Sequence, residues 1–407
     1  MSQPRRIVSE GRTPLDPEDY SELIAELAPS VHSETVAVHE AIGRTLRADL
    51  VADRAVPAFP TSAMDGFALD GPALQEAQRG TAIRVSGDTP AGHEAALLRP
   101  GAAVRVMTGA PIPTGAEAVV PVELTDADQT GAAPQTIRIS SLPQQVANGW
   151  NIRAVGEDIA AGDVILPAGS RLTAAGVGTL AMLGIDEIDV DGRPRIGVIV
   201  TGDELRDTAA EAAGALILNS NLPMLASAIR STGAEAIEAT CSDDPNALRA
   251  VFDELAPMAD LVITTGGISA GAFEVVRQTL EGEHSTFLRL GMRPGSPQGH
   301  GRLGRLPLLH LPGTPQGAFV AFHLFARSLL EGRPLRARWK KGLYTGSELG
   351  QHPHAVKVRP GAFTATGEIR AVDGARLPNF AAAEVIIRIP RGTGRLLPGA
   401  IVDYLEC

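Results

Sequence analysis

The sequence predicts an α/β fold in which a parallel β-sheet carries helices on both faces. Three short apolar runs, at residues 195–200, 261–265 and 308–311, have the composition of strands that are buried on both sides. Each run ends in a polar or Gly/Pro-rich loop and is followed by a helical stretch. This alternation is typical of doubly wound sheets, whose ligands bind at the carboxyl ends of the strands. The three loops are therefore the predicted binding region.

The loop after the middle run is the most informative of the three. Hydroxyl groups and glycines replace apolar side chains there, at Thr264, Thr265, Gly266, Gly267, Ser269 and Gly271. A helix is predicted directly after the loop, over residues 272–281. Such a loop directs free N–H groups and a helix dipole at one point, which indicates an anion site. The alternative is a tight turn that binds no ligand. The similar ends of the other two runs favour a binding loop.

The composition argues against several functional classes. A length of 407 residues predicts two to four domains, and 44% hydrophobic with 20% charged residues is typical of globular proteins. The formal net charge of −11 argues against nucleic acids and membrane surfaces as partners, so an anionic ligand needs a local cationic pocket. The only lysines are Lys340, Lys341 and Lys357. Any cation that holds phosphate in the α/β region must therefore be an arginine.

No segment of the sequence has the pattern of an export signal or a membrane span. Residues 1–13 have no apolar signal-peptide core, and the chain has no apolar run long enough to cross a bilayer. The only cysteines, Cys241 and Cys407, cannot supply a disulfide framework or a cysteine-rich metal site. These features predict a cytoplasmic protein.

The first half of the chain is predicted to be helical at its ends and β-rich between them. Asp16 is expected to cap a first helix, with Pro17 at its first position, and a second short helix is expected at residues 39–46. Four short β-like runs between Gly/Pro turns in residues 80–152 indicate a small inserted β domain.

Polar side chains on the loops of this half are candidate ligand contacts. Asp65 precedes a glycine in a turn-like setting, and its alternative role is to bond the backbone of its own turn. Thr108 lies on a Gly/Pro-rich loop, where it either caps a turn or meets a ligand. Arg153, Glu157 and Asp158 share a third loop, for which a solvated turn is the alternative.

The second half is predicted to contain the α/β domain and a final β-like unit. Thr173 is expected to cap a helix that pairs with the N-terminal helices. The α/β domain begins near Arg193, and Asp244 is expected to cap one of its helices. An apolar helix is predicted over residues 319–330, and residues 335–407 have a β-like pattern.

With these motifs in this order, the chain resembles the MoeA family of molybdopterin molybdotransferases, whose relatives include the E domain of gephyrin. The resemblance covers nearly the whole chain. Its most specific motifs are Ser62-Ala-Met-Asp-Gly-Phe-Ala68, Arg105-Val-Met-Thr-Gly-Ala-Pro111, Asn151-Ile-Arg153 with Gly156-Glu-Asp158, Thr201-Gly-Asp-Glu-Leu205, Asn219-Ser-Asn221 and the Gly266-Gly267 loop.

The resemblance implies a multidomain α/β fold with a MogA-like doubly wound domain. Its parts would be a linking domain in two segments, an inserted β domain, the MogA-like domain and a C-terminal β barrel. The corresponding residues are 1–46 and 154–192, 47–153, 193–333 and 334–407. The resemblance also implies an elongated homodimer. The active site would lie between the α/β domain of one subunit and the β domain of the other.

The implied reaction is molybdenum insertion. The family takes adenylylated molybdopterin and molybdate, releases AMP with Mg²⁺, and leaves molybdenum on the dithiolene. Cleavage of a phosphoric anhydride needs a divalent ion and a positioned nucleophile, and Mg²⁺ prefers carboxylate oxygens and water. By resemblance the catalytic candidates are Asp65, Asp158, Asp243 and Glu274, and the metal candidates are Asp243 and Glu274.

The resemblance also assigns substrate-binding roles, to Thr108, Arg153, Glu204, Gly266, Gly267, Ser269, Arg293 and Ser296. Two of the carboxylates keep alternative roles. Asp243 could cap a helix alongside Asp244, and Glu274 could be a solvated helix residue.

Several residues depart from the family pattern. The family usually has Asp at position 274, and it has Lys-Pro-Gly-Lys-Pro and Asn-Pro-Val-Ser where this chain has Arg293-Pro-Gly-Ser-Pro297 and Thr314-Pro-Gln-Gly317. The replaced lysines and serine are associated with molybdate. Each lost charged bond is expected to weaken anion binding by roughly 1.5–3 kcal/mol. Arg289 and Arg376 are candidates for compensating cations.

Two other functions are compatible with the same scaffold. A catalytically weakened homologue could act as an interaction protein, but such a protein has no use for clustered carboxylates. An adenylyltransferase or pyrophosphatase could be built on the α/β unit alone, but the inserted β domain and the Asp65 loop argue against it. The insertase interpretation is therefore preferred.

Overall fold

The structure, a computed structural model, describes residues 14–269, 271 and 274–407. The chain separates into two compact units. The insert unit comprises residues 33–192, and the α/β unit comprises the described residues up to 32 together with 193–407. Within the described part of the chain, no helix is long and apolar enough to cross a bilayer.

A six-stranded sheet forms the centre of the α/β unit. Its strand order is Glu235–Cys241, Arg195–Thr201, Leu261–Thr265, Leu306–Leu311, Pro297–Leu303 and Ser285–Arg289. The first four strands are mutually parallel and the last two are antiparallel. The predicted parallel sheet is therefore confirmed for its three predicted strands, whereas the parallel edge strand Glu235–Cys241 and the two antiparallel strands were not predicted.

Alternate residues of the central strands pack on opposite faces of this sheet. Ile196, Val198 and Val200 belong to a core that also contains apolar residues of the helices Asn221–Ser231 and Pro315–Ala321. Their neighbour Ile199 belongs to the core on the other face. Burial of apolar side chains on both faces fixes the register of the strands, because a shift by one residue would exchange the two faces.

The α/β unit contains further helices and strands outside this sheet. Its helices are Pro17–Leu23, Asn221–Ser231, Pro245–Leu255, Val275–Leu280, Pro315–Ala321, Arg327–Leu330, Leu335–Arg338 and Leu377–Ala381, with a 3₁₀ turn at Ala25–Leu27 and a π-helical turn at Phe322–Ala326. Its other strands are Leu205–Arg206, Ile217–Leu218, Met292–Arg293, Lys340–Leu343, Leu349–Gly350, Val356–Phe363, Ile369–Ala371, Val385–Ile389, Arg395–Leu396 and Ile401–Glu406.

The C-terminal strands form a second sheet that closes on itself. Its order is Met292–Arg293, Val356–Phe363, Val385–Ile389, Ile401–Glu406 and Lys340–Leu343, with Ile369–Ala371 paired to the second of these. A bridge between Tyr344 and Ile369 links the last strand back to that paired strand. Both residues are fully buried inside the ring of strands, so the arrangement is barrel-like.

The insert unit contains a five-stranded sheet and several small pairs of strands. The sheet has the order Ala118–Pro121, Gly66–Leu69, Ala103–Val106, Ile83–Thr89 and Thr136–Ile137. The other strands are Ser33–Ala37, Leu50–Val51, Thr61–Ser62, Ile152–Arg153, Val164–Leu166 and Glu187–Asp191; the helices are Gly71–Gln78 and Ala174–Met182, with 3₁₀ turns at Val38–Glu40 and Val122–Leu124. Thr173 caps the second helix as predicted, through a 3.2 Å bond from the N–H of Gly176.

Three local predictions are wrong. The helix expected at residues 39–46 is a 3₁₀ turn at Val38–Glu40, because Gly43 takes a φ of +76° and the chain then bridges to other strands. Asp16 stands at the start of its helix without capping it, and its carboxylate pairs instead with Arg391 at 2.8 Å. The third prediction is wrong in part: the helix after Thr173 packs on the turn at Val38–Glu40, where the second N-terminal helix was expected, whereas the first, Pro17–Leu23, packs in the α/β core.

Candidate functional site

A cavity of about 650 Å³ lies at the carboxyl ends of the parallel strands in the α/β unit. Four strand ends contribute to it, through Thr201, Asp243, the Gly266-Gly267 loop and Gly313. This is the edge at which a doubly wound sheet binds ligands. The cavity is also lined by Glu204, Ser269 and Glu274, so the fold brings together six of the predicted site residues.

The glycine loop approaches its neighbours too closely for side chains. Gly266 and Gly267 have φ values of +97° and +62°, a region that disfavours other residues. A Cβ on Gly266 would lie 2.8 Å from the carbonyl oxygen of Thr201, and one on Gly267 would lie 3.0 Å from the backbone nitrogen of Val276. The loop therefore presents backbone atoms to the cavity.

The carboxylates of the cavity wall form an acidic group around Asp243. Its Oδ2 accepts a 3.3 Å bond from the N–H of Asp203, and its own N–H donates to Asp203 Oδ1 at 3.1 Å. Partial burial raises the pKa of Asp243, and the charges of Asp203, Glu204 and Glu274 raise it further. A cation in the cavity would relieve this repulsion.

The helix-capping role belongs to Asp244 and not to Asp243. The Oδ1 atom of Asp244 accepts bonds from the N–H groups of Asn246 and Ala247, at 2.9 and 2.8 Å. Asp243 is thus left to face the cavity, and the alternative that it caps this helix is excluded.

Glu274 lies at the mouth of the glycine loop. The helix that follows is Val275–Leu280, shorter than predicted, and Ala272 and Phe273 of the predicted helix lie outside the described residues. Glu274 makes no capping bond; its Oε2 accepts a 2.7 Å bond from the N–H of Ser269. It is therefore tied to the loop, in contrast to the solvated helix residue considered above.

Arg293 and Ser296 do not line the cavity, although Gly295 and Pro297 between and beside them do. The hydroxyl of Ser296 donates to the carbonyl oxygen of Leu290 at 2.9 Å, so it is used within its own loop. Nearby, a Cβ on Gly317 would lie 2.6 Å from the Oγ1 of Thr314. The hydroxyl of Thr314 thus occupies the space next to position 317.

The insert unit brings the other four predicted residues into one group of loops. The strands Thr61–Ser62 and Ile152–Arg153 pair, and the N–H of Gly109 donates to the Ser62 carbonyl at 2.8 Å. These contacts join the loops that carry Asp65, Thr108 and the Arg153 turn.

Within this group of loops, Asp65 accepts hydrogen bonds from Thr108, and Arg153 forms ion pairs with two carboxylates of its own turn. Oδ1 of Asp65 accepts from the N–H and the hydroxyl of Thr108, at 2.6 and 2.8 Å. Asp65 is therefore held by a residue far away in sequence. Arg153 forms ion pairs with Asp158 and, at 3.1 Å, with Glu157, and these bonds raise the pKa of its guanidinium.

The carboxylates of the cavity fit a Mg²⁺ ion that is shared with the substrate better than a metal ion whose ligands all come from the protein. Among the described residues, no three His, Cys, Asp or Glu side chains are grouped closely enough to hold a metal ion. Mg²⁺ commonly uses one or two carboxylates and completes its shell with water and substrate phosphates. Asp243 and Glu274 supply carboxylates of that kind.

The sequence analysis missed a buried polar group in the cavity wall. Asn221, Thr265 and Gly313 are joined by hydrogen bonds, and Thr201 lies beneath the glycine loop. In the sequence, Asn221 stands out only as part of a motif. Its role depends on partners 44 and 92 residues away, which no local pattern reveals.

Two family models match the chain. One is described as the MoeA N-terminal region (domain I and II) and matches residues 15–184. The other is described as a probable molybdopterin binding domain and matches residues 197–332. Together they match most of the insert unit and the part of the α/β unit up to residue 332.

Several curated proteins of molybdopterin metabolism are similar to this chain over most of their lengths. A protein named molybdopterin molybdenumtransferase 2 from Mycobacterium tuberculosis is 40% identical over 76% of this chain and 77% of its own length. A molybdopterin molybdenumtransferase from Bacillus subtilis is 33% identical over 79% and 75%. Molybdopterin molybdenumtransferase 1 from M. tuberculosis is 30% identical over 95% and 97%.

A crystal structure of the molybdopterin biosynthesis MoeA protein from Pyrococcus horikoshii superimposes with a TM-score of 0.77 at 24% identity, over 97% of this chain and 100% of that one. This likeness establishes a MoeA-type multidomain α/β fold. The identities to the curated relatives extend over more than two thirds of their lengths, and the chain therefore belongs to the MoeA family of molybdenum cofactor biosynthesis.

Proposed function

We propose that this chain is a molybdenum insertase: it hydrolyses adenylylated molybdopterin, transfers molybdate to the dithiolene and releases AMP. The observation that carries this proposal is the joining of a glycine loop and a carboxylate group in one cavity, at the carboxyl edge of a parallel sheet. The transferase names of the curated relatives support the same reaction class. The interaction-protein alternative is not favoured, because it explains neither feature.

The charge of the cavity supports a requirement for Mg²⁺. Glu204, Asp243 and Glu274 line it, and no arginine or lysine is among the described residues that do. Such a site repels a substrate with two phosphates unless a cation offsets the charge. Mg²⁺ held by Asp243 and Glu274 would offset the charge on the phosphates during cleavage.

The other residues of the cavity have roles that follow from their groups. Backbone atoms of Gly266, Gly267 and Ser269 contact the phosphates or the pterin, and Glu204 accepts hydrogen bonds from the pterin. Arg293 shares a short loop with the cavity-lining Gly295, and it takes part in attracting molybdate. Ser296 can donate its hydroxyl hydrogen to molybdate only by giving up its bond to Leu290.

The proposal includes a homodimer whose second subunit contributes to the site. Asp65, Thr108, Arg153 and Asp158 would come from the insert unit of that subunit, as the family resemblance implies. Their grouping on adjoining loops supports a common role. A molar mass of one chain in solution, measured by light scattering with a fully active preparation, would exclude this part of the proposal.

The test is AMP release by the purified protein from adenylylated molybdopterin, with Mg²⁺ and a molybdate titration. Saturable release that depends on molybdate is expected. No release by folded protein would reject the insertase and favour the interaction protein. AMP release that does not depend on the molybdate concentration would indicate a pyrophosphatase.

A pair of variants tests the role of the metal carboxylates. Asp243→Asn is expected to lower Mg²⁺-dependent AMP release by about a hundredfold or more, because it removes a carboxylate that holds the Mg²⁺ opposite the phosphates. Asp244→Asn is the matched control: it removes the same charge from the next residue, and asparagine also caps helices well. Equal effects of the two changes would contradict a metal-binding role for Asp243.

A further inference from the structure

Asn221 forms a buried part of the cavity wall. It is the first residue of the helix Asn221–Ser231, it is only 7% exposed, and it lines the cavity. Its side chain connects Thr265, the last residue of one strand, with the loop that follows the neighbouring strand ending at Leu311.

The orientation of the Asn221 amide follows from its partners. Its Nδ2 lies 2.8 Å from the carbonyl oxygen of Gly313, which can only accept a hydrogen bond. It also lies 3.1 Å from the hydroxyl of Thr265. The hydrogen of that hydroxyl is directed to the carbonyl oxygen of Pro312, at 2.8 Å, so the hydroxyl accepts from Asn221. Both contacts require the NH₂ group, and the other amide atom must be the carbonyl oxygen.

This carbonyl oxygen is a buried acceptor without a donor. Asn221 Oδ1 has no hydrogen-bond partner among the described residues, and neither does the hydroxyl of Thr201, another cavity-lining residue that is 5% exposed. Buried polar atoms in native proteins are normally paired. Two unpaired atoms in the wall of one cavity therefore indicate that a ligand, or an ordered water, completes their bonds.

We propose that Asn221 Oδ1 accepts a hydrogen bond from an N–H or O–H group of the bound substrate and selects for that group. This inference rests on the proposed function, which supplies such groups on the pterin ring, the adenine amine and the ribose hydroxyls. Because the amide cannot turn without losing two bonds, a ligand oxygen without hydrogen is repelled at this point. Phosphate and molybdate are thus excluded from the Asn221 end of the cavity.

The surroundings of Asn221 favour a flat ring as the donor. Ile217 and Leu218 precede it closely in the chain, line the same cavity, and are about half exposed. Apolar side chains at the rim of a cavity provide a surface on which an aromatic ring can lie, while polar atoms in the wall set its orientation. The pterin or the adenine fits this description better than the ribose.

The test compares pairs of ligands that differ in one donor. Binding of AMP is measured against purine riboside monophosphate, in which the adenine amine is replaced by hydrogen, and against 2′-deoxy-AMP. Binding of pterin is measured against its 2-deamino analogue by fluorescence. One pair is expected to show about a 5- to 100-fold preference for the donor-bearing ligand in the unaltered protein.

Two variants distinguish ligand selection by Asn221 Oδ1 from a purely structural role of Asn221 in holding the two strand ends. In Asn221→Ala the preference is expected to fall to within about twofold, because the acceptor is gone. In Thr265→Val one partner of Nδ2 is lost but Oδ1 remains, so the preference should persist even if all affinities fall. A preference that survives in Asn221→Ala, or its absence from every pair in the unaltered protein, would overturn the proposal.

The failure of this inference differs from that of the proposed function. If the probes bind without any preference that depends on Asn221, while AMP release is molybdate-dependent, then a water completes the bonds of Oδ1 and only the selection is rejected. If no probe binds and no AMP is released, both are rejected.

Discussion

Glu274 is a residue for which two partners compete. The structure ties its carboxylate to the N–H of Ser269 at 2.7 Å, whereas the proposed function uses the same carboxylate for Mg²⁺ and the same N–H for a phosphate oxygen. Glu274 thus occupies a position that a phosphate could take. The side chain of Glu274 is one methylene longer than the aspartate that is usual in the family, and with this length it reaches the loop.

Shortening this side chain is expected to free the loop. In Glu274→Asp the bond to Ser269 is lost or stretched, so AMP should bind more tightly in the absence of Mg²⁺, by about fivefold or more for a charged hydrogen bond removed from competition. Isothermal titration of AMP into metal-free protein measures the change. Glu283→Asp, which shortens a carboxylate whose side chain is 81% exposed, is the control. Unchanged affinity in Glu274→Asp would mean that the bond to Ser269 does not hinder the anion.

The sequence predicts which residues belong to the site better than it predicts which groups their side chains bond. The ends of the predicted strands indicate that the glycine loop lies at the binding edge of the sheet, because parallel strands end at one edge. Asp243 was a candidate only through the family resemblance, since the strand before it was not predicted. Asp244 was correctly predicted to cap its helix, but an additional capping role for Asp243 could be excluded only from the hydrogen bonds of the two side chains. The unpaired oxygen of Asn221 was not predictable either, because it depends on Gly313 and Thr265 in three dimensions.

At the scale of elements, the strand-to-helix loop after Leu261–Thr265 depends on Gly266. Its φ of +97° and the 2.8 Å distance that a Cβ would have from the Thr201 carbonyl oxygen are separate obstacles to any other residue. Gly233, after the helix Asn221–Ser231, has a similar φ of +90° but no atom within 4 Å of a Cβ. A side chain at Gly233 would meet backbone strain alone, whereas one at Gly266 would meet both backbone strain and a steric clash.

Alanine at these two positions should have different effects. Gly233→Ala is expected to cost about 1 kcal/mol of stability for its left-handed backbone. Gly266→Ala should cost clearly more and should also abolish AMP release, because the clash displaces the loop from the cavity. Urea unfolding and AMP release measure the two outcomes. Equal unfolding midpoints for both variants would show that the loop has room to move aside.

The elements that the sequence failed to predict have identifiable causes. The strand Pro297–Leu303 contains Gly299 and Gly301, and its sequence lacks a β pattern. A Cβ on Gly301 would lie 2.0 Å from the carbonyl oxygen of His284, so the neighbouring strand requires glycine there. The apolar runs of the parallel strands, in contrast, are buried on both faces and are visible as composition alone.

At the scale of the whole molecule, the α/β unit contains two buried histidines whose charging opposes folding. His310 is fully buried, with hydroxyls of Thr264 and Ser285 at 2.9 and 2.8 Å from its two ring nitrogens. Burial lowers its pKa to about 3, and His300 adds to the effect. Burial also lowers the pKa of His323 to about 3, with the charges of Arg327 and Arg338 adding to it.

These shifts predict a loss of stability in acid. A histidine with a pKa below its unfolded value binds fewer protons in the folded state, so its contribution is complete above about pH 6.5 and is lost as the pH falls from there toward 3. Between pH 6.5 and 4.5 each of the two histidines should cost about 2 kcal/mol of unfolding free energy. Urea unfolding of the α/β unit, followed through this range within the full chain, measures the slope.

Two variants at this histidine identify the source of the slope. His310→Gln removes the titrating ring, so its stability should fall less steeply between pH 6.5 and 4.5 than that of the unaltered protein, by about 2 kcal/mol over the range. Ser285→Ala removes a hydrogen bond but keeps the ring, so it should lower stability at every pH and leave the slope in place. If His310→Gln keeps the full slope, the acid sensitivity comes from other groups, and His310 binds its proton as readily in the folded unit as in the unfolded chain.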